Sequence, residues 1–182
     1  MSERPSCRSC GHQDLEVFLD LGVTPLADRL LTREQLHKPE PTYPLEVAFC
    51  PSCSLAQILK TVSPEELFAH DVYYYYSSFS PALLKHSREN VHDLVIRRKL
   101  DSSSYIVELA SNDGYLLRNY VEHGIPVLGI DPCAGPAQAA KKIGVPSMIA
   151  FFTLALAQRL SAEGKQADVI HGNNVLAHVA DT

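Results

Sequence analysis

Two cysteine pairs carry the clearest chemistry in this chain. They are Cys7-Arg8-Ser9-Cys10-Gly11 and Cys50-Pro51-Ser52-Cys53, with 39 residues between Cys10 and Cys50. A C-x2-C knuckle bends the backbone so that two sulfurs face one ion. Two knuckles complete a tetrahedral S4 site, the geometry that structural zinc takes. Binding to the metal deprotonates the thiols, so Cys7, Cys10, Cys50 and Cys53 are expected to bind zinc as thiolates. Four protein ligands leave no open coordination position, which makes the role structural. Two matching knuckles argue against four unrelated thiols. His12 beside the first knuckle is read as a surface residue.

Three further polar groupings follow short apolar runs. Glu108-Leu109-Ala110-Ser111-Asn112-Asp113-Gly114 has Asn112 and Asp113 to offer an amino-acid-like group, and Gly114 to let the backbone pass close to a ligand. It lacks G-x-G-x-x-G, which argues against the usual pyrophosphate loop for NAD or FAD. Gly129-Ile130-Asp131-Pro132 places an acid 17 residues after Gly114, where a ribose diol is bound in nucleotide folds. Cys133 reads as a partly buried thiol without a ligand or nucleophile role. His171 to His178 adds Asn173, suited to orienting a cofactor, and His178, whose imidazole suits a general base. A fourth grouping, Asp71-Val72-Tyr73-Tyr74-Tyr75-Tyr76-Ser77-Ser78, brings phenols that would bind a sugar, move a proton or pack between domains.

These groups need elements to hold them. Residues 105–110, 126–131, 147–152 and 167–171 read as short buried strands. Residues 115–123, 135–143 and 154–163 read as helices, each followed by Gly124, Gly144 or Gly164. The resulting β-α-β-α-β-α-β alternation calls for a parallel sheet with right-handed crossovers. That is the first half of a doubly wound, Rossmann-like sheet, whose ligands bind beyond the carboxyl ends of the strands. Upstream, Ser63 is placed as the N-cap of a helix beginning Pro64-Glu65-Glu66. The expected organisation is a four-Cys zinc module at 1–60, a helical connecting segment with the Tyr run at 61–100, and a partial cofactor-binding domain at 101–182.

Composition excludes other classes. The 182 residues are 46% hydrophobic and 20% charged, which is globular. The net charge of -5 offers no basic footprint for nucleic acid. No run is long and apolar enough to span a membrane, and the polar start is unlike a secretory signal. Five Cys in such a chain fit metal binding in a reducing cytoplasm better than disulfides.

Together the motifs resemble the S-adenosylmethionine-dependent sugar C-methyltransferases of deoxysugar pathways, which carry an N-terminal zinc-binding domain. The matching stretches are Cys7-x2-Cys10-Gly11, Asp20-Leu21-Gly22, Cys50-x2-Cys53-x-Leu55-x-Gln57, Tyr76-Ser77-Ser78, Glu108-x-x-Ser111-Asn112-Asp113-Gly114, Gly129-Ile130-Asp131-Pro132, Phe151-Phe152 and Asn173 to Val179. The resemblance implies S-adenosylmethionine across the strand ends. Glu108, Asn112, Asp113 and Gly114 would face its methionine part, Asp131 its ribose, and Pro132 and Phe152 its adenine, with Asn173 nearby. It implies a nucleotide-linked keto-sugar substrate, methylated through an enolate. His178, Tyr75 and Tyr76 are then the candidates for proton handling. Ala180 stands where the family often has Pro. The four strands read here are fewer than a methyltransferase sheet carries, so the expectation is the N-terminal part of such an enzyme, with a sheet edge open to association. A non-catalytic zinc-binding assembly module and an O- or N-methyltransferase are the alternatives.

Overall fold

The structure, a computed structural model, describes residues 5–68 and 73–179. Asp71, Val72 and Ala180 lie outside the described residues. The chain divides into two compact units: Met1–Leu67 with His178–Thr182, and Phe68–Ala177. Among the described residues no helix is long and apolar enough to cross a membrane.

The first unit is built on a three-stranded antiparallel sheet in the order β1-β2-β3. Its strands are β1 (Glu16–Pro25), β2 (Thr42–Phe49) and β3 (Ala56–Ile58). β1 slips register twice against β2, between Val17 and Leu19 and between Asp20 and Val23. At the second slip the Gly22 N–H donates to Asp20 Oδ1 at 2.8 Å. Such bulges bend an edge strand and oppose pairing with another chain. The short helix α1 (Pro64–Phe68) begins at Ser63, whose Oγ accepts from the Glu66 N–H at 3.2 Å, as the sequence indicates. Among the described residues of this unit only Cys7, Ala48, Cys50 and Gln57 are buried. A hydrophobic core of that size does not hold a fold by itself.

The second unit is the parallel sheet. Its strands are β4 (Ile106–Leu109), β5 (Val127–Asp131), β6 (Ser147–Ile149) and β7 (Val169–His171), in the order β6-β5-β4-β7. The chain winds outward from β4 through β5 to β6, then returns to the other side of β4. This makes the carboxyl ends of β4 and β7 the topological switch point. Among the described residues four helices accompany the strands: α2 (Pro81–Arg98), α3 (Leu117–Glu122), α4 (Ala134–Lys142) and α5 (Leu154–Ala162).

Strand alternation sorts the core into two clusters. Ile106 and Val127 point to one face, against Val91, Leu117, Tyr120 and Val145. Val107, Leu128 and Ile130 point to the other, against Leu156 and Leu160. Both faces of the sheet are thus covered, as parallel sheets require. Capping fixes the helix starts. Ser80 Oγ accepts from the Leu83 N–H at 3.2 Å with Pro81 in the first turn, and Thr153 Oγ1 accepts from the Leu156 N–H at 3.3 Å.

Two of the boundary differences from the sequence reading have a clear physical cause. The third strand stops at Ile149 instead of running to Phe152. β6 is an edge strand paired only with β5, and the pairing ends where β5 ends, at Asp131 opposite Ile149. The first helix begins at Leu117 instead of Tyr115. Left-handed Asn112 (φ 50°) and Gly114 (φ 78°) hold the preceding residues in a tight loop instead of a helical turn.

Gly129 is where the sheet is most tightly constrained. A Cβ there would stand 2.4 Å from Ser111 Oγ and 2.9 Å from Ser111 Cβ. Substituting Gly129→Ala is expected to destabilise the protein by about 1–3 kcal/mol through overpacking, read as a lower urea midpoint with an unchanged m-value.

Candidate functional site

The first unit brings its four cysteines together. Their sulfurs all lie within 4.8 Å of one another. Cys7 Sγ is 3.5 Å from Cys53 Sγ, and Cys10 Sγ is 3.7 Å from Cys50 Sγ. Tetrahedral coordination at a Zn–S distance of about 2.3 Å puts sulfurs about 3.8 Å apart, so the donor set fits zinc. None of the five cysteines is in a disulfide.

The two knuckles share one backbone design. The Gly11 N–H donates to Cys7 O at 2.9 Å, and the Ser54 N–H to Cys50 O at 2.8 Å. The Cys7 N–H donates to His12 O at 2.8 Å, and the Cys50 N–H to Leu55 O at 2.9 Å. In each, the residue after the second cysteine is left-handed, with φ 76° at Gly11 and 65° at Ser54. Gln57 clasps the first knuckle: its Oε1 accepts from the Arg8 N–H at 3.0 Å and its Nε2 donates to Ser6 O at 3.2 Å. The Cys10 amide, the largest influence on it, helps hold the Cys7 thiol down to about 6. At Cys53 the Leu55 amide favours the thiolate, but the Cys7 sulfur and burial outweigh it and push the thiol up to about 12. One thiolate opposes the next, and a divalent cation removes that opposition.

In the second unit the polar groups gather at the carboxyl ends of β4 and β5. Register lines up Ser147, Gly129, Glu108 and His171 as one row across β6, β5, β4 and β7. Glu108 is 1% exposed and its Oε2 has no hydrogen-bond partner. Burial, then the nearby Asp131, raises its pKa well above the ordinary carboxyl range.

Past β4 the loop doubles back through left-handed Ala110, Asn112 and Gly114. Asn112 tolerates that conformation and offers both donors and an acceptor. Its N–H donates to Asp131 Oδ2 at 2.8 Å, and its Oδ1 accepts from the Ser77 and Asp113 N–H groups at 2.9 and 3.0 Å. Its Nδ2 donates to Tyr75 O at 3.0 Å. Asp113 Oδ2 accepts from the Ser78 N–H at 3.2 Å, while its Oδ1, like Ser111 Oγ, is buried without a partner. The Tyr-Ser-Ser segment is therefore pinned to the strand-end loop.

Asp131 is 3% exposed and accepts from the Cys133 N–H through Oδ1 at 2.8 Å. Each of its oxygens keeps a second lone pair free to accept. Burial, the largest cause, raises its pKa too. Pro132 follows it, half-buried, at the entry to α4. Tyr76 is half-buried. Its hydroxyl lies 2.9 Å from the position of a Cβ on Gly135, and its ring stacks on Phe79 at 5.5 Å. Tyr75 and Phe152 are exposed. Asn173 is exposed and its Nδ2 donates to Tyr115 Oη at 3.3 Å. His178 is exposed in the 3-10 turn Leu176–His178 and belongs to the first unit. Cys133 is buried and its thiol, chiefly by burial, is pushed up to about 12, consistent with an inert residue.

Sequence reasoning missed two partners in this site. Tyr120 Oη and His171 Nε2 share a buried hydrogen bond of 2.9 Å. Ser111 fills the space that Gly129 leaves. An ionisable residue inside a short apolar strand was the available signal for Glu108. Only the register shows that His171 stands beside it.

Residues 7–68 match the family described as "Putative zinc binding domain". Over 175 residues the chain is 33% identical to the C-methyltransferase NovU of Streptomyces niveus, covering 96% of this chain and 41% of that protein. The chain thus spans about two fifths of its relative's length. Solved structures of S-adenosylmethionine-dependent methyltransferases from Geobacter sulfurreducens and Thiobacillus denitrificans, both in complex with S-adenosyl-L-homocysteine, are 17% and 19% identical. They cover 62% and 63% of this chain and 37% and 38% of their own, with TM-scores of 0.29 and 0.28, too low to weigh on the fold.

The paired knuckles make a sharp prediction. Nothing lies within 4 Å of a Cβ on Gly11, so Gly11→Ala meets no clash and suffers only from its left-handed φ. In the zinc-loaded protein it is expected to lose about 1 kcal/mol, while Ser54→Gly keeps or raises stability, both read by thermal unfolding.

Proposed function

We propose that this chain, a relative of C-methyltransferases with the zinc-domain match at residues 7–68, is the zinc-binding and cofactor-binding part of an S-adenosylmethionine-dependent C-methyltransferase. The observation that carries the reading is the group of three buried carboxyls at the ends of β4 and β5. Glu108, Asp113 and Asp131 are each at most 5% exposed, and two of them keep an unpartnered oxygen. Such a site wants a ligand with positive charge and several hydrogen-bond donors. S-adenosylmethionine offers a sulfonium, an ammonium and a ribose diol.

When bound, the cofactor supplies an electrophilic methyl group. The chain's residues do the rest. Glu108, Asn112, Asp113 and Gly114 hold the methionine part, and Asp131 takes the ribose hydroxyls through its remaining lone pairs. Pro132 and Phe152 flank the adenine, and Asn173 orients the reacting end. Zinc at Cys7, Cys10, Cys50 and Cys53 supplies the stability that the first unit's scant core lacks. The substrate is a nucleotide-linked keto-deoxysugar. Carbon becomes a nucleophile only when a neighbouring ketone stabilises the carbanion, so a base must remove the adjacent proton. His178, Tyr75 and Tyr76 are the groups assigned to that proton and to the sugar.

The test is methyl transfer from labelled S-adenosylmethionine to nucleotide-linked keto-sugars by the full-length protein. Sugar-dependent formation of S-adenosylhomocysteine, with the label on carbon, is the expected result. Its absence with every such sugar, from protein that binds the cofactor, overturns the substrate assignment.

A further inference from the structure

The strand-end site gathers three buried carboxyls with no positively charged side chain paired to them among the described residues. Among the described residues, the titratable groups that face Glu108 are neutral or acidic. Asp113 follows in its own loop, Asp131 faces it from β5, Tyr115 precedes α3, Tyr120 comes from α3, and His171 is its register partner on β7. Burial favours the neutral form of His171, and its Nε2 is occupied by Tyr120. Among the described residues no lysine or arginine forms an ion pair with any of the three carboxyls. Of these partners only the Tyr115 hydroxyl favours an ionised Glu108, while Asp131 and Asp113 oppose it. Asp131 gains two backbone amide donors, whereas Glu108 Oε2 gains none.

A buried oxygen without a donor is costly as a carboxylate and tolerable as part of a neutral carboxyl. We propose that the strand-end site takes its cationic ligand in exchange for the Glu108 proton. The carboxyl loses one proton to solvent, the carboxylate pairs with the positive charge of the ligand, and the net charge inside the site is unchanged. This rests on the reading that the ligand is S-adenosylmethionine.

The sign follows from linkage. The empty site holds the Glu108 proton to higher pH than an ordinary carboxyl, and the occupied site favours the carboxylate. Between those two values each binding event releases up to about one proton, and affinity rises with pH by up to about tenfold per unit. Above the empty-site value the carboxyl is already ionised and the dependence disappears.

Titration calorimetry with S-adenosylmethionine tests this across the neutral range, in two buffers of different ionisation enthalpy. Wild type should release more protons per ligand than Glu108→Gln, and its affinity should climb more steeply with pH. The comparison cancels the ligand's own ionisation. Equal release and equal slopes in both proteins overturn the exchange and leave the proposed function standing. Failure of wild type to bind at all overturns the proposed function itself. Infrared difference spectra of wild type give a reading that needs no variant. Ligand addition should remove a protonated-carboxyl band and add carboxylate bands. Binding without that conversion overturns the exchange.

Discussion

Three carboxyl groups buried at one end of a small parallel sheet set the terms for the rest of the second unit. Burying even one ionised carboxylate is expensive unless donors or cations compensate it. This fold compensates Asp131 with the amides of Asn112 and Cys133, and Asp113 in part with the amide of Ser78. Glu108 Oε2 receives nothing. The arrangement is therefore unfinished in a particular direction, toward a positively charged guest.

The surrounding geometry serves that arrangement. Gly129 gives up its side chain so that Ser111 fits over β5, which lets the loop after β4 close down on the row. Asn112 adopts a left-handed conformation and in exchange links three segments: the end of β5, its own loop and the Tyr75 to Ser77 stretch. In the first unit the same logic applies to sulfur. Four thiols are held at metal-site spacing by two copies of one turn, in a unit with almost no apolar interior. In each unit a cluster of ionisable groups is assembled around charge that the protein leaves for a ligand to provide.

Much of this was legible in the sequence because it depends on short-range signals. The C-x2-C pairs, the Ser63 cap and the strand–helix alternation after residue 105 are local patterns, and all have counterparts in the structure. What escaped depends on distance along the chain. The tether between Tyr75 and Asn112 joins residues 37 apart, and the Tyr120–His171 bond joins residues 51 apart. β1 was hidden for a different reason. Val17, Phe18, Leu19 and Leu21 are all exposed, so its apolar residues follow no inside–outside alternation. α2 lies within the segment expected to be helical, but it buries only Ser87 and Val91 fully, a stripe too thin to mark its bounds among the charged residues. The third strand was overextended because an apolar run does not reveal where its neighbour ends.

The central claim is that the Glu108 carboxyl is held neutral until a cation arrives. Carbon-13 NMR titration of that carboxyl in the ligand-free protein tests it most directly. A midpoint displaced well above the ordinary value of 4.5 is the predicted result, and a midpoint at or below 4.5 would contradict it.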